Sequence, residues 1–381
     1  MTVRTDVIVI GAGIHGCSAA LHLALRGANV DVIEKDTAGR HASGVNAGGV
    51  RTLARDAAEI PLALAALEMW HRISDLVHDS CDFQASAQIM VAETGADMRR
   101  LEARRAELER LGFRHEELVD RAELRNLLPA VSDHCLGGLI ARRDGHANPY
   151  RTVTAFRRRA AALGARFHEG HPAEAVERSG RGWRIRTWQR TFDAAALVNC
   201  GGAWGDRIAA MLGDRVRLEA VAPMMIVTER MPRFVEPVVL GSGRALSLKQ
   251  SANGTVLIGG GRLGPADRDR GVAGLDFGGL AASARTAQDI FPCLSRAHVV
   301  RCWSGIEGRT PDALPVIGPS PSAPGAYHAF GFSLHGFQLG PIVGRVIADL
   351  VLDGRTEFPL APLGVERFTI SADTPLHDNS G

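Results

Sequence analysis

Near the start of the chain, Gly11-Ala12-Gly13-Ile14-His15-Gly16 fits the pattern GxGxxG, a spacing that can hold a diphosphate against backbone N–H groups. Gly11 permits the tight turn, Gly13 lets the backbone approach a pyrophosphate, and Gly16 lets helix and strand pack closely. Glu34 follows where an acidic side chain can accept hydrogen bonds from ribose hydroxyls and would repel a 2′-phosphate. Alone, the glycine pattern is weak; the elements around it make it informative. Residues 3–10 read as a short, apolar, β-branched buried strand, residues 14–26 as a helix closed by Gly27, and residues 29–33 as a second buried strand. Strand, helix and strand in that order form a βαβ unit and imply a parallel sheet covered on both faces. The chemistry indicated is dinucleotide binding, with Gly11, Gly13, Ile14, Gly16, Glu34 and Lys35 as candidate contacts. His15 reads as a variable position near the phosphate rather than a catalytic group.

The fingerprint does not distinguish FAD from NAD; three later stretches favour FAD. Residues 39–51 (GRHASGVNAGGVR) follow the second strand directly, where an NAD dehydrogenase turns into its next helix, and a Gly- and Ser-rich run suits a chain wrapping an extended cofactor. Residues 198–204 (VNCGGAW) place a second glycine turn after a strand. Residues 331–338 (GFSLHGFQ) lie just before a final helix read over 341–352 and stopped by Gly354.

Helices are also expected over 60–78 and 96–111, the second with a solvated charged face. Asn148-Pro149 looks like an N-cap and first-turn proline for a helix ended by Gly164. Strands are read at 166–168, 183–188 and 194–199 and in several runs within 216–262, with a loose tail from about 370. Hydrophobic residues make up 45% and charged residues 23%, as in a soluble globular protein, and the formal net charge of +2 gives no strong field. Lys35 and Lys249 are the only lysines; the arginines are scattered, which argues against nucleic-acid binding. The six cysteines form no CxxC pair and the histidines have no ligand spacing, so no metal site is expected. Glycines and two histidines interrupt the apolar run 7–25, and no basic stretch or cleavage site accompanies it. It reads as a buried strand–turn–helix rather than a signal or transmembrane segment, and a cytoplasmic location with free thiols is the expectation.

The ordered landmarks GAGIHG with Glu34, ASGVNAGGVR (42–51), NCGGAW (199–204), WSGIEGRTPDALPVIG (303–318) and GFSLHGFQLGP (331–341) resemble the D-amino-acid oxidase superfamily, in particular its glycine oxidase and sarcosine oxidase branch. The pattern is most similar to the FAD subunits of opine oxidases and of hydroxyproline or proline dehydrogenases. The resemblance implies an α/β fold: a Rossmann-like FAD-binding domain over 1–85, 145–215 and 300–370, a substrate domain on a mixed, largely antiparallel sheet over 86–144 and 216–299, and a tail over 371–381. It carries FAD contacts onto Ser43, Asn46, Ala47, Gly48, Cys200, Gly201, Trp204, Gly305, Gly331, Leu334, His335, Gly336, Phe337 and Gln338. The N-terminus of the last helix would then face the pyrimidine edge of the flavin, where negative charge collects on reduction.

Three departures from the family pattern bear on chemistry. Relatives with covalent FAD carry a cysteine where Gly305 stands here, with Cys302 three residues early, so non-covalent FAD is expected. Many relatives bind the substrate carboxylate with an arginine where this chain has Glu307. Glu307 either attracts an ammonium or guanidinium or serves Arg309 as a structural partner, and the carboxylate clamp passes to Arg51 or Arg55. Arg51 has a second reading, as a surface or FAD-phosphate contact. Some oxidases hold a lysine over the flavin; here the strand 255–259 has none, Leu257 stands nearest to its place, and Lys249 is expected out of reach. That favours a dehydrogenase passing electrons to a partner subunit or other acceptor over an oxidase. The reaction implied is hydride removal from the C–H next to nitrogen of an amino acid, an N-substituted amino acid or an opine-like amine, giving an imine that hydrolyses. Catalytic candidates are His335, Arg51 and Glu307; no general base is evident. The rival reading is a non-catalytic FAD-binding assembly subunit.

Overall fold

A computed structural model describes residues 2–368 of the 381, so the tail expected over 371–381 lies outside the described residues. The first sheet grows from β1 (Thr2–Ile10), α1 (Ile14–Leu25) and β2 (Val30–Ile33), as the βαβ reading expects. β1 lies between β2, with Val7 opposite Val30, and Thr191–Asn199, with Ile8 opposite Leu197, both parallel. Arg166–His168 extends the sheet beyond β2, and Ala326–Phe330 extends it on the other side, again parallel. The second half of β1 and all of β2 are buried, as a parallel sheet covered on both faces requires. Helices α1, Ile60–His71 and the closing helix Gly336–Asp353 share its core with Trp70, Leu21, Ile342 and Val346.

The second sheet is built around Glu219–Arg230, which pairs antiparallel with Thr255–Gly259 on one edge and with Val299–Ser304 and Glu307–Arg309 on the other. Val238–Gly241 runs parallel to Gln88–Ala92; among the described residues every other pairing in this sheet is antiparallel. Its core packs Ile89, Val239, Leu248 and Ile258 against Phe291. The architecture is the expected α/β one, a Rossmann-like sheet with a mixed, largely antiparallel second sheet. One boundary differs. Strands from 299 to 309 join the second sheet, although residues from 300 on were expected with the first. The twelve-residue strand 219–230 leaves a long edge opposite 255–259, and this segment fills it.

Two helix limits also differ from the sequence reading. The stretch 60–78 divides at Arg72 into Ile60–His71 and Ile73–Val77. The closing helix starts at Gly336, not Pro341, and Pro341 sits inside it. A proline near a helix start marks the first turn more often than the second, which misplaced this N-terminus. The Asn148 cap holds as read, its side chain accepting the Arg151 N–H at 3.2 Å.

β2 is tied to its neighbour through Asp31, whose side chain is wholly buried and accepts from Arg166 Nε at 3.0 Å and bonds His168 Nε2 at 2.6 Å. Burial opposes its charge, but His168 and Arg166 outweigh that and bring its pKa down to about 2. The folded pKa lies below the unfolded one, so this stabilisation is present above about pH 4 and is lost as pH falls toward 2. Asp31→Asn should cost about 2 kcal/mol at pH 7 by urea unfolding, and the deficit should shrink as pH falls from about 5 toward 2. A deficit that does not change with pH contradicts the assignment.

Candidate active site

The glycine turn is built by contacts that admit no side chain. A Cβ on Gly11, at φ 103°, would lie 2.3 Å from the Cys200 carbonyl oxygen, and one on Gly16 would lie 1.8 Å from the Gly11 oxygen. β1, α1 and the turn after Thr191–Asn199 therefore meet backbone to backbone. Cys200 takes part through its main chain; burial pushes its thiol up to about 12. Gly13 is the N-cap of α1 and offers no capping side chain; the Ile14 N–H donates to Ser43 Oγ at 3.0 Å. Glu34 accepts the Ala12 N–H at 2.7 Å and the Asp36 N–H at 2.8 Å, one on each oxygen, which leaves lone pairs on both for ribose hydroxyls. The Lys35 ammonium pairs with Asp36 and lies 4.0 Å from the centre of the Trp204 ring, whose Nε1 donates to the Arg268 carbonyl at 3.0 Å. Gly201 N–H is fixed by Asn199 Oδ1 at 3.1 Å. These residues form one arm of the site.

The other arm is a cavity of about 420 Å³ between the two sheets, lined in part by Ile14, Ser43, Asn46, Ala47, Gly48 and Gly305. Asn46 shapes the 42–48 loop, donating to the Ala42 and Ser43 carbonyls at 2.9 and 3.0 Å and accepting the Gly48 N–H at 2.7 Å. The far wall is the segment 331–337, where Gly331 (φ 70°), Ser333 (φ 50°) and Leu334 (φ 72°) all adopt left-handed backbone. For Ser333 and Leu334 that costs about 1–2 kcal/mol each. The segment is pinned through the Ser333 N–H to the Gly308 carbonyl (3.2 Å), the Thr310 N–H to Ser333 Oγ (3.1 Å) and the Leu334 N–H to Glu307 Oε1 (2.7 Å). His335 then caps the closing helix, again without a side-chain cap on its first turn. Gly336 and Phe337 line the cavity, but Gln338 does not: it is fully buried and donates to the Ala63 carbonyl at 2.7 Å.

The three catalytic candidates share this cavity. His335 Nδ1 bonds Glu59 Oε2 at 3.0 Å, and burial with the nearby Arg55 charge lowers its pKa to about 4, so the ring is neutral near pH 7. Burial works against the charge of Glu59, but His335, Arg55 and Arg51 hold it below the usual carboxylate range. Arg51 donates to the Leu53 carbonyl at 3.1 Å and borders the cavity rather than the protein surface. Glu307 does not serve Arg309, which pairs with Glu219; it faces the cavity.

Sequence reasoning missed several residues on or behind this wall. Glu59 lies 276 positions from its partner, so no local pattern signals the pair. The His15 ring stacks on Phe332 with centroids 3.5 Å apart, and burial lowers its pKa to about 3. Lys249, expected out of reach, is buried on the cavity wall, donates to the Ala147 carbonyl at 3.5 Å and is lowered by burial to about 8. A strand alternates its side chains between two faces, and the sequence did not reveal which face Lys249 would take. Among the described residues no group of three or more His, Cys, Asp or Glu could hold a metal ion, and no helix is long and apolar enough to cross a membrane.

The donor set fits FAD. Two helices begin at N-cap residues that supply no side-chain cap, the phosphate-side glycines leave no room for side chains, and a cavity adjoins the second helix end. Residues 6–350 match the family described as FAD dependent oxidoreductase, and the chain belongs to that family, of D-amino-acid oxidase type. It is 26% identical to a glycine oxidase of Geobacillus kaustophilus, with 96% of this chain and 98% of that one covered. It is 25% identical to an opine oxidase subunit of Rhizobium meliloti (96% and 98% covered) and 28% identical to monomeric sarcosine oxidase of Streptomyces avermitilis (94% and 97% covered). Among solved structures, L-proline dehydrogenase from P. horikoshii superposes with a TM-score of 0.90 at 25% identity, covering 97% of this chain and 99% of that one. The chain is an FAD-dependent oxidoreductase.

Gly16→Ala should lower stability by about 1–3 kcal/mol, because the added methyl overlaps the Gly11 carbonyl and overpacks the turn. FAD per chain, read from flavin absorbance, should fall with it. Full FAD content at unchanged stability would contradict the role given to this contact.

Proposed function

We propose that the enzyme removes a hydride from the C–H next to nitrogen of an amino acid or N-substituted amino acid, giving an imine that hydrolyses. The observation that carries this reading is Arg55, buried at 2% exposure on the cavity wall, with Nη1 bonded to nothing among the described residues. Its other nitrogens reach the Arg51 carbonyl at 3.0 Å and the His335 carbonyl at 3.4 Å. Burial first, then the neighbouring Arg51 charge, lowers its pKa to about 9, so the pair of guanidiniums favours an anion between them. A substrate carboxylate supplies that charge and the missing acceptor. The names of relatives acting on glycine, sarcosine, opines and L-proline support the same class of substrate.

FAD, when bound, supplies the two-electron acceptor; the protein binds, orients and excludes water. Gly11, Gly13 and Gly16, with the open end of α1, would hold its diphosphate, and Glu34 its ribose. The first turn of the closing helix, at His335–Gly336, would favour negative charge on the ring. Attachment is non-covalent on this reading. Gly305 has no nucleophile, and a Cβ there would lie 2.2 Å from Val45 Cγ2. Cys302 packs with the second-sheet core, whereas the adjacent Trp303 turns to the 42–50 loop and donates to the Val45 carbonyl at 2.8 Å. Two relatives, both of Rhizobium meliloti, are named as subunits, one of opine oxidase and one of sarcosine oxidase, which supports electron transfer to a partner chain or other acceptor.

Anaerobic flavin bleaching by glycine, sarcosine, L-proline and opines tests the reading. At least one should bleach the protein, and Arg55→Met should raise the concentration needed by about 10- to 100-fold, the worth of a charged hydrogen bond. Admitting air afterwards separates the acceptors, because fast reoxidation with peroxide release assigns oxygen. An FAD-loaded protein that no amino compound bleaches is the assembly subunit, and the proposal fails.

A further inference from the structure

An amino compound enters as an ammonium ion, and hydride cannot leave the carbon while nitrogen has no free electron pair. The site therefore needs a group that removes one proton from nitrogen, and sequence reasoning found none. We propose that Glu307 is that acceptor: its carboxylate receives the substrate's ammonium in the cavity and takes the proton from nitrogen. This rests on the amino-compound reading above.

The geometry singles out Glu307. It stands at the start of the short strand Glu307–Arg309, opposite Val221, on the wall of the cavity that holds the unpartnered Arg55 nitrogen. Oε1 is fixed by the Leu334 N–H at 2.7 Å, and no described residue donates to Oε2. Among the described residues no cation pairs with it. Arg309 on its own strand pairs with Glu219, and Arg268 near the 202–204 turn pairs with Asp206. The other charged or titratable groups lining the cavity are His15, Arg51, Arg55, Lys249 and His335. His335 is the alternative acceptor through Nε2, since Nδ1 bonds Glu59, but burial and the Arg55 charge lower it to about 4, which makes it the weaker base near pH 7. Desolvation instead raises Glu307 to about 7, where an acceptor is best matched to neutral pH. The strained backbone at Ser333 and Leu334 delivers the N–H that orients this carboxylate.

The step balances within the pair. One N–H bond breaks, one O–H bond forms on Glu307, and the electron pair stays on nitrogen. That pair becomes the second bond of C=N when hydride leaves the adjacent carbon for FAD.

The test uses the FAD-loaded protein, Glu307→Gln and Glu307→Asp. The first readout is binding of 2-aminoisobutyrate, which has no hydrogen on the carbon next to nitrogen and leaves the flavin oxidised. Below its own pKa Glu307 holds a proton, which must leave when an ammonium arrives. Wild type should release about 0.9 proton per site at about pH 6 and almost none at about pH 8.5. Glu307→Gln should release none at either pH. The second readout is the pH profile of flavin reduction by an amino compound that bleaches wild type. Wild type should lose rate about tenfold per pH unit below about pH 7. Glu307→Gln should be about a hundredfold slower at pH 7 and should gain rate steadily as rising pH deprotonates the amine in solution. Glu307→Asp should restore the acid limb. A Gln variant that keeps FAD and shows the wild-type profile or the wild-type proton release overturns the proposal and leaves the amino-compound reading intact. Wild type bleached by none of the panel overturns that reading itself.

Discussion

Everything in this molecule depends on one close contact, the packing of α1 against the closing helix. Ile14 meets Gly340 and Ser18 meets Gly344, so the two helices run in the same direction. A Cβ on Gly340 would lie 2.4 Å from Ile14 Cγ1, and one on Gly344 would lie 2.2 Å from Ser18 Oγ. Glycine at these points lets the axes approach. Parallel helices set their positive ends side by side, an arrangement unfavourable by itself and favourable around an anion. Neither N-cap residue caps its helix with a side chain, although Ser43 Oγ accepts the Ile14 N–H, and residues of both first turns line the same cavity. The chain thus concentrates uncommitted N–H donors where a diphosphate and an electron-rich ring can use them.

The second sheet supplies what the helix pair cannot, a roof and the polar groups of the cavity. Its long central strand holds Glu307 opposite Val221 and Trp303 opposite Met225, and the 331–335 segment is bent over that region at the cost of two non-glycine left-handed residues. Such strain persists only where surrounding bonds over-determine it, and Thr310, Gly308 and Glu307 provide those bonds. The cavity is then polarised, with two guanidiniums and His335, backed by the buried Glu59, in one part of its wall and a lone, desolvated carboxyl in another. A zwitterion suits that distribution better than a simple amine or a simple acid does.

The local parts of this design were legible in the amino-acid order. Gly11, Gly16 and Glu34 belong to one βαβ unit, where spacing alone dictates geometry, and the Asn148 cap is likewise a matter of neighbouring residues. The landmark at 331–341 located the far wall but not its helix start, because Pro341 tolerates the second turn when Gly336 and its neighbours already fix the first. What stayed hidden was long-range. The Glu59–His335 bond, the facing of Lys249 and the commitment of Gln338 to Ala63 join segments far apart in the chain, and each depends on which face of an element meets the cavity. The identity of Glu307 was visible, but its isolation was not, since Arg309 stood two residues away and turned out to belong to Glu219.

The most direct test of the central claim is a crystal structure of the FAD-loaded protein. The account predicts the diphosphate on the N–H groups after Gly13, the ribose at Glu34 and the edge of the ring at His335–Gly336, with the remaining cavity open between Arg55 and Glu307. A ring lying elsewhere, or a dinucleotide that leaves the first turn of the closing helix without a ligand, would contradict it.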